Sequence, residues 1–246
     1  MPTANYPSLK DRVVIITGGG QALGRAYAHG FSAQGAIPVI AELNGENGAR
    51  VAKEIEQKGG RALSIQTDVS DETATKEMAK QALTAYGRID CLINNAALFE
   101  KDDILNFTTK SWNDHLNINL LAPTILTKQF AKQASKKTIS NIINIIDQRV
   151  FKLTPIFMSY TLSKSALHTL TKTMAMRLGP NIKVNGIAPG PTIKSKRQTS
   201  KHFNRQTKST LLKKAVGPED ICDTVDFFIN NNSITGQVIA VDSGQN

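Results

Sequence analysis

Val13-Val14-Ile15-Ile16-Thr17-Gly18-Gly19-Gly20-Gln21-Ala22-Leu23-Gly24-Arg25 is the stretch that decides the fold. An apolar, strand-like run enters a glycine cluster, and a helical pattern follows over 23–34. The glycines permit a tight turn and let backbone N–H groups approach a pyrophosphate at the helix N-terminus. A glycine-rich turn with no ligand is the competing reading. The strand before, the helix after and the place in the first unit favour binding. Ala22 stands where a glycine is easiest.

The same alternation runs on through the chain. Candidate strands are Val13–Thr17, Pro38–Ala41, Ala62–Gln66, Cys91–Asn94, Asn141–Ile146, Lys183–Ile187 and Gln237–Val241. Helix-like stretches fall near 23–34, 46–58, 72–86, 109–135, 158–178 and 218–230. Strand, helix, strand repeated this way predicts an α/β fold. Its core is a doubly wound parallel sheet (Rossmann) of about seven strands with helices on both faces. No linker or repeat divides residues 1–246, so one domain is expected. Segment 191–217 is basic and poor in apolar periodicity, and it is expected to form a substrate loop beyond a strand's carboxyl end.

The composition is that of a soluble globule, with 246 residues, 40% hydrophobic and 20% charged. No apolar run approaches the length of a membrane span, and the N-terminus has no signal pattern. Two cysteines without a Cys-x-x-Cys spacing fit a reducing compartment, so a cytoplasmic protein is expected. The four histidines lack ligand spacing, and no metal site is expected. Net charge is +10 but uneven: residues 1–100 carry −1 and residues 101–246 carry +11. Lys194 to Lys214 holds eight basic residues and no acid. A nucleic-acid surface is one reading of that run. The lack of interleaved aromatics favours a solvated loop, part of which faces an anionic or polar substrate. No nucleic-acid or membrane partner is expected.

Two further groups carry chemistry. Glu42 lies 18 residues beyond Gly24, just past the second strand. A carboxylate there accepts hydrogen bonds from adenosine ribose hydroxyls and repels a 2′-phosphate, which favours NAD(H). Arg25 keeps NADP(H) open as the alternative. Tyr160 and Lys164 lie four apart on a helical pattern (Met158, Leu162, Ala166, Leu170, Met174), so one turn puts phenol and ammonium on one face. A cation beside a phenol favours the phenolate, which makes a usable proton donor and acceptor.

With these residues in view, the chain resembles the short-chain dehydrogenase/reductase family over nearly its whole length. Thr17-Gly18-x-x-x-Ala22-x-Gly24 is similar to the family's glycine motif. Thr67-Asp68-Val69 resembles the segment touching the adenine. Asn94-Asn95-Ala96-Ala97 resembles its Asn-Asn-Ala-Gly motif, and Pro189-Gly190 the turn that holds the carboxamide. Asn119 matches the active-site asparagine, and Tyr160 with Lys164 the catalytic pair. The resemblance implies cofactor contacts at Gly18, Gln21, Leu23, Gly24, Glu42, Asp68, Val69, Asn95, Ala96, Tyr160, Lys164, Pro189, Gly190 and Thr192. It implies a small-molecule substrate and a homotetramer.

One departure stands out: Asp147 occupies the place of the family's serine, 13 residues before the tyrosine. Aspartate there, with Phe157-Met158-Ser159-Tyr160-Thr161-Leu162-Ser163-Lys164 around it, resembles the pteridine reductase branch. The first hundred residues instead resemble NAD-type alcohol or sugar dehydrogenases. The expected reaction is hydride transfer between nicotinamide C4 and a C=O or C=N bond. Tyr160 moves the proton, Lys164 lowers its pKa, Asn119 supports the lysine through a water, and Asp147 sits beside the tyrosine. An ionised carboxylate ~4 Å from a forming phenolate costs about 4 kcal/mol at an effective dielectric near 20. Three outcomes are open: Asp147 is itself protonated and donates a hydrogen bond as the serine would, it keeps Tyr160 protonated and favours reduction over oxidation, or it weakens catalysis; the reductive role is the preferred one. A dihydropteridine or dihydrofolate reductase is the alternative within this class, with Phe99, Phe151 or Phe157 to stack a pterin. A catalytically weak binding protein is the alternative outside it. Gln148 and Arg149 follow Asp147, and Arg149 either lines the substrate pocket or pairs with Asp147.

Overall fold

A computed structural model describes residues 9–134, 138–194 and 198–246. Seven strands form one sheet: β1 (Val13–Thr17), β2 (Ile37–Glu42), β3 (Leu63–Gln66), β4 (Cys91–Asn94), β5 (Ser140–Ile145), β6 (Ile182–Pro189) and β7 (Val238–Val241). Their order is β3-β2-β1-β4-β5-β6-β7, and every neighbouring pair is parallel. β1, β2, β5 and β6 are buried along their whole length, as strands covered on both faces must be.

The helices are α1 (Ala22–Ala33), α2 (Gly45–Glu56), α3 (Glu72–Tyr86), α4 (Thr109–Leu116), α5 (Ala122–Gln133), α6 (Met158–Leu178), α7 (Ser200–Lys208) and α8 (Pro218–Asn230). Tyr27 and Phe31 of α1, Val51 and Ile55 of α2, and Val225 and Phe228 of α8 pack in the core on one face of the sheet. Met78 of α3, Leu126 and Phe130 of α5, and Met174 of α6 pack in the core on the other. Both helix layers expected from the alternating pattern are therefore present. No helix among the described residues is long and apolar enough to cross a membrane.

Two expectations need refinement. The helix expected over 109–135 is continuous from Thr109 to Gln133 but carries a π turn, Asn117–Leu121, between α4 and α5, and residue 135 lies outside the described residues. Such π turns interrupt a helix to re-aim a side chain. Pro123 in the first turn of α5 was an available start signal. Segment 191–217 is not all loop. Thr199 caps α7 by accepting from the His202 N–H, and no residue of α7 is buried. A helix without an apolar stripe leaves no periodic signal to read. Lys196 and Arg197 of the basic run lie outside the described residues.

Candidate active site

The chain winds outward from β1 to β3, then restarts at β4 on the other side of β1. That switch opens a crevice at the carboxyl ends of β1 and β4. Side chains clasp it. Thr17 Oγ1 accepts the N–H groups of Asn95 and Ala96, each at 3.0 Å, and the Asn95 side chain donates to the carbonyls of Thr17 and Gly18 at 2.9 and 3.3 Å. The glycines are required by contact. A methyl on Gly24 would stand 2.1 Å from the Gly18 carbonyl oxygen, and Gly18 itself has φ +64°. Gln21 offers no side-chain cap to α1, so the first-turn N–H groups are left for another acceptor. Ala22 holds φ +46° with its side chain exposed, so its departure from glycine is felt as backbone strain.

Glu42 is the last residue of β2. It is 5% exposed, and its carboxylate accepts from the Gly20 N–H at 2.9 Å and the Asn44 N–H at 3.3 Å. Arg25, through which a 2′-phosphate would be read, is engaged by another carboxylate. Its guanidinium donates to Glu54 of α2 at 2.9 Å. Asp68 is exposed and accepts from Ser70, while Val69 is buried against the sheet. Leu23 packs half-buried on the α1 side. Pro189 closes β6, and a side chain on Gly190 would collide with the Asp242 backbone at 2.6 Å. Thr192 Oγ1 donates back to the Gly190 carbonyl.

At the carboxyl end of β5, Asp147 meets α6. The Tyr160 hydroxyl donates to Asp147 Oδ2 at 2.8 Å, while Asp147 Oδ1 accepts the Arg149 N–H at 2.8 Å. Asp147 and Tyr160 thus form a direct pair. Arg149 engages the carboxylate through its backbone, and its guanidinium turns elsewhere. Burial pushes the Asp147 carboxyl up, against the opposing pull of its hydrogen bonds from Arg149 and Tyr160. Burial, then the charge and hydrogen bond of Asp147, push the Tyr160 phenol well above its ordinary value. The lowering expected from Lys164 is therefore overridden. Lys164 is 2% exposed, its ammonium donates to the Ile145 carbonyl at 2.7 Å, and burial pushes its pKa down to about 8, with Asp147 opposing.

Asn119 sits at the π turn, fully buried. Its amide exchanges two hydrogen bonds with the Leu98 backbone, at 2.8 and 2.9 Å, and donates to Ser163 Oγ at 3.0 Å. It thereby ties the loop after β4 to α6. It makes no direct hydrogen bond to Lys164.

Further contacts support the pair, and of these only Phe99 and Phe157 were singled out in the sequence. Asp102 caps α6 from a distance of 57 residues. Its Oδ1 accepts the Ser159 N–H at 3.1 Å, and its carbonyl accepts the Phe157 N–H at 2.7 Å. Phe157, whose side chain cannot cap, holds φ +62° and stacks on Phe99 with ring centroids 4.4 Å apart and planes 6° apart. Phe99 meets Tyr160 edge-on at 4.6 Å. His115 is buried near the other side of Tyr160; its Nδ1–H donates to the Ser111 carbonyl and its Nε2 accepts the Glu100 N–H. Asn94, Asn144 and Thr171 form a buried hydrogen-bonded chain from β4 through β5 to α6. Each joins residues distant in the chain, so no local spacing announces it. The half-buried His168 of α6 packs its ring on Phe151 at 5.6 Å.

Comparison with known proteins places the chain in a family. The short chain dehydrogenase family model matches residues 12–206. A probable galactose dehydrogenase, GalD, of Rhizobium meliloti is 27% identical, over 99% of this chain and 98% of its own length. The crystal structure of FolM alternative dihydrofolate reductase 1 from Brucella canis, complexed with NADP, is 38% identical. It superposes with a TM-score of 0.91 over 97% of this chain and 95% of its own. A 7α-hydroxysteroid dehydrogenase complexed with NADH and a 7-oxo bile acid is 27% identical, with a TM-score of 0.90 over 96% of each chain. The chain belongs to the short-chain dehydrogenase family of oxidoreductases.

Proposed function

We propose that the protein is a nicotinamide-dependent reductase acting on a C=N or C=O bond of a flat conjugated substrate, of the dihydropterin and dihydrofolate kind. The observation that carries this reading is the 2.8 Å hydrogen bond between Tyr160 and Asp147, two groups both pushed toward their protonated forms. A pair that holds its proton tightly is suited to giving one up only when strong basicity develops on the substrate, which is what reduction produces. The wall formed by Phe99 and Phe157 beside Tyr160 supports a flat substrate. The resemblance to an alternative dihydrofolate reductase supports the same class.

The crevice suits a dinucleotide, because its glycines leave room that side chains would fill and α1 leaves amides without an acceptor. Gly18, Gln21, Leu23 and Gly24 would hold the pyrophosphate, and Glu42 the adenosine ribose. Asp68, Val69, Asn95 and Ala96 would flank the adenine side, with Pro189, Gly190, Thr192, Tyr160 and Lys164 at the nicotinamide end. The coenzyme, when bound, supplies the hydride. Tyr160 delivers the proton to the nitrogen or oxygen that gains negative charge. Asp147 restores that proton and, while protonated, spares the phenol a neighbouring negative charge. Lys164, steered by the Ile145 carbonyl, places its ammonium close to the pair. Asn119 holds the Leu98 loop and α6 in register, and its support of Lys164 runs through a water. Glu42 favours NADH over NADPH. The half-exposed edge strand β7 and the exposed Met176 of α6 fit an assembly of four chains.

Oxidation of NADH and of NADPH, followed with dihydrobiopterin, dihydrofolate and a panel of ketones, tests the proposal. Turnover of a pterin or folate with kcat/KM above that of any ketone supports it. Turnover of ketones alone would reassign the substrate class, and coenzyme binding without any turnover would refute the enzymatic reading.

A further inference from the structure

One cation of the site makes no side-chain hydrogen bond to the Asp147–Tyr160 pair, although its charge pulls both groups downward. After Asp147, a short 3-10 turn, Gln148–Val150, carries Arg149 alongside the aromatic wall. The guanidinium centre lies 4.7 Å from the Phe157 ring centroid and 5.8 Å from that of Phe99. Phe99 in turn touches Tyr160, so this cation is one ring removed from the proton donor. A guanidinium carries five N–H donors. The described residues engage it once, through Nη1 to Thr154 Oγ1 at 2.9 Å. No carboxylate among them lies within ion-pair distance of it. A guanidinium fixed by stacking on rings, weakly hydrated and in no ion pair among the described residues, is preorganised to take a carboxylate through two parallel hydrogen bonds.

A second observation points the same way. Between residues 191 and 218 the sequence has no acid, and Lys201, Arg205 and Lys208 share the exposed face of α7. The two basic regions meet a common segment. Lys152, just past the Arg149 turn, donates to the Gln245 carbonyl at 2.6 Å. The N–H groups of Leu211 and Leu212, which follow α7, donate to the carbonyls of Gly244 and Ser243. The Arg149 turn, through Lys152, and the segment that follows α7 therefore lie against the same C-terminal residues, Ser243 to Gln245.

We infer that Arg149 is a carboxylate-binding residue, and that the substrate is a flat ring bearing an anionic carboxylate tail that leads away from Tyr160 toward the basic face of α7. This rests on the proposed flat-ring substrate, and it adds a requirement that the ring chemistry does not impose. A tailless pterin and a folate present the same ring, but only the folate ends in a glutamate.

The test is calorimetric binding of folate and of biopterin to the full chain with NAD+ present, at low ionic strength, for the wild type, Arg149→Gln and Arg149→Lys. Wild type is expected to bind folate about tenfold or more tighter than biopterin, the range of a charge-assisted bidentate contact. Arg149→Gln is expected to bring that ratio near one and Arg149→Lys to leave it in between. Added salt should shrink the wild-type ratio. A ratio near one in wild type, or one unchanged by Arg149→Gln, overturns the inference. p-Aminobenzoyl-glutamate, the tail without the pterin, separates this from the substrate-class proposal. If neither pterin is bound or reduced, the flat-ring reading fails by itself. Binding of the tail that is lost in Arg149→Gln still upholds the subsite, and absent or unaltered binding refutes it.

Discussion

Glu42 and Asp147 are both carboxylates at the carboxyl ends of parallel strands, and the contrast between them separates the two halves of the site. Glu42 closes β2 and accepts only main-chain N–H groups, from Gly20 and Asn44. Asp147 follows β5 and accepts one main-chain N–H, from Arg149, and one side-chain hydroxyl, from Tyr160. The first shapes a loop and sets a negative charge where a ribose would lie. The second changes the acidity of a phenol. At the coenzyme end side chains such as Thr17 and Asn95 bond to the main chain around small residues, whereas at the substrate end side chains bond and stack on one another. Charge follows the same division, with −1 on residues 1–100 and +11 on residues 101–246.

Substitutions at the two ends should fail in different ways. Tyr160→Phe, at the substrate end, should reduce kcat by about 10³-fold, within the range for loss of a positioned general acid. Coenzyme affinity, read by fluorescence titration, should stay nearly unchanged. A matching loss of coenzyme affinity would mean that the two ends are not separable. Glu42→Ala should act the other way. It should raise the NADPH-to-NADH ratio of kcat/KM by about tenfold, or about 1.4 kcal/mol, by removing a negative charge from the path of a 2′-phosphate. An unaltered ratio would reduce Glu42 to a staple of the glycine loop.

Asp102→Ala tests how α6 is held. Loss of its acceptor should destabilise the fold by about 1 kcal/mol, as for other helix caps. Because Phe157 is fixed at the same point, substrate KM should rise more than coenzyme KM. Asp102→Asn keeps an acceptor oxygen and should recover most of both. Urea melts and steady-state kinetics on the two variants check this, and equal damage from Ala and Asn would show that the carboxylate charge, not the cap, matters.

The same contrast explains what the sequence shows and what it hides. Strands announce themselves because apolar runs such as Val13–Thr17 must be buried on both faces, and their observed ends fall within two residues of the expected ones. The glycine turn announces itself because only glycine fits at Gly18 and Gly24. Asp147 was legible through its spacing to Tyr160 and a family resemblance. The direction in which its pair is shifted was only half legible, since burial of the phenol, the largest influence, is a property of the folded molecule. Asp102 was not legible at all, because a cap supplied from 57 residues away has no local signature. The π turn at Asn119 was hidden by a helical pattern that continues on both sides of it.

The most direct test of the central claim is the pH dependence of reduction in wild type and Asp147→Ser, between about pH 5 and 10. A raised Asp147 keeps the pair fully protonated beyond the usual carboxylate range. As pH rises further the pair loses that proton, and a phenolate forming beside a carboxylate is then opposed, so the wild-type rate falls. With serine in place of Asp147 the proton is held by the phenol alone, and the fall should move to higher pH. Superimposable profiles for the two proteins would contradict the assignment of Asp147 and Tyr160 as one proton-donating pair.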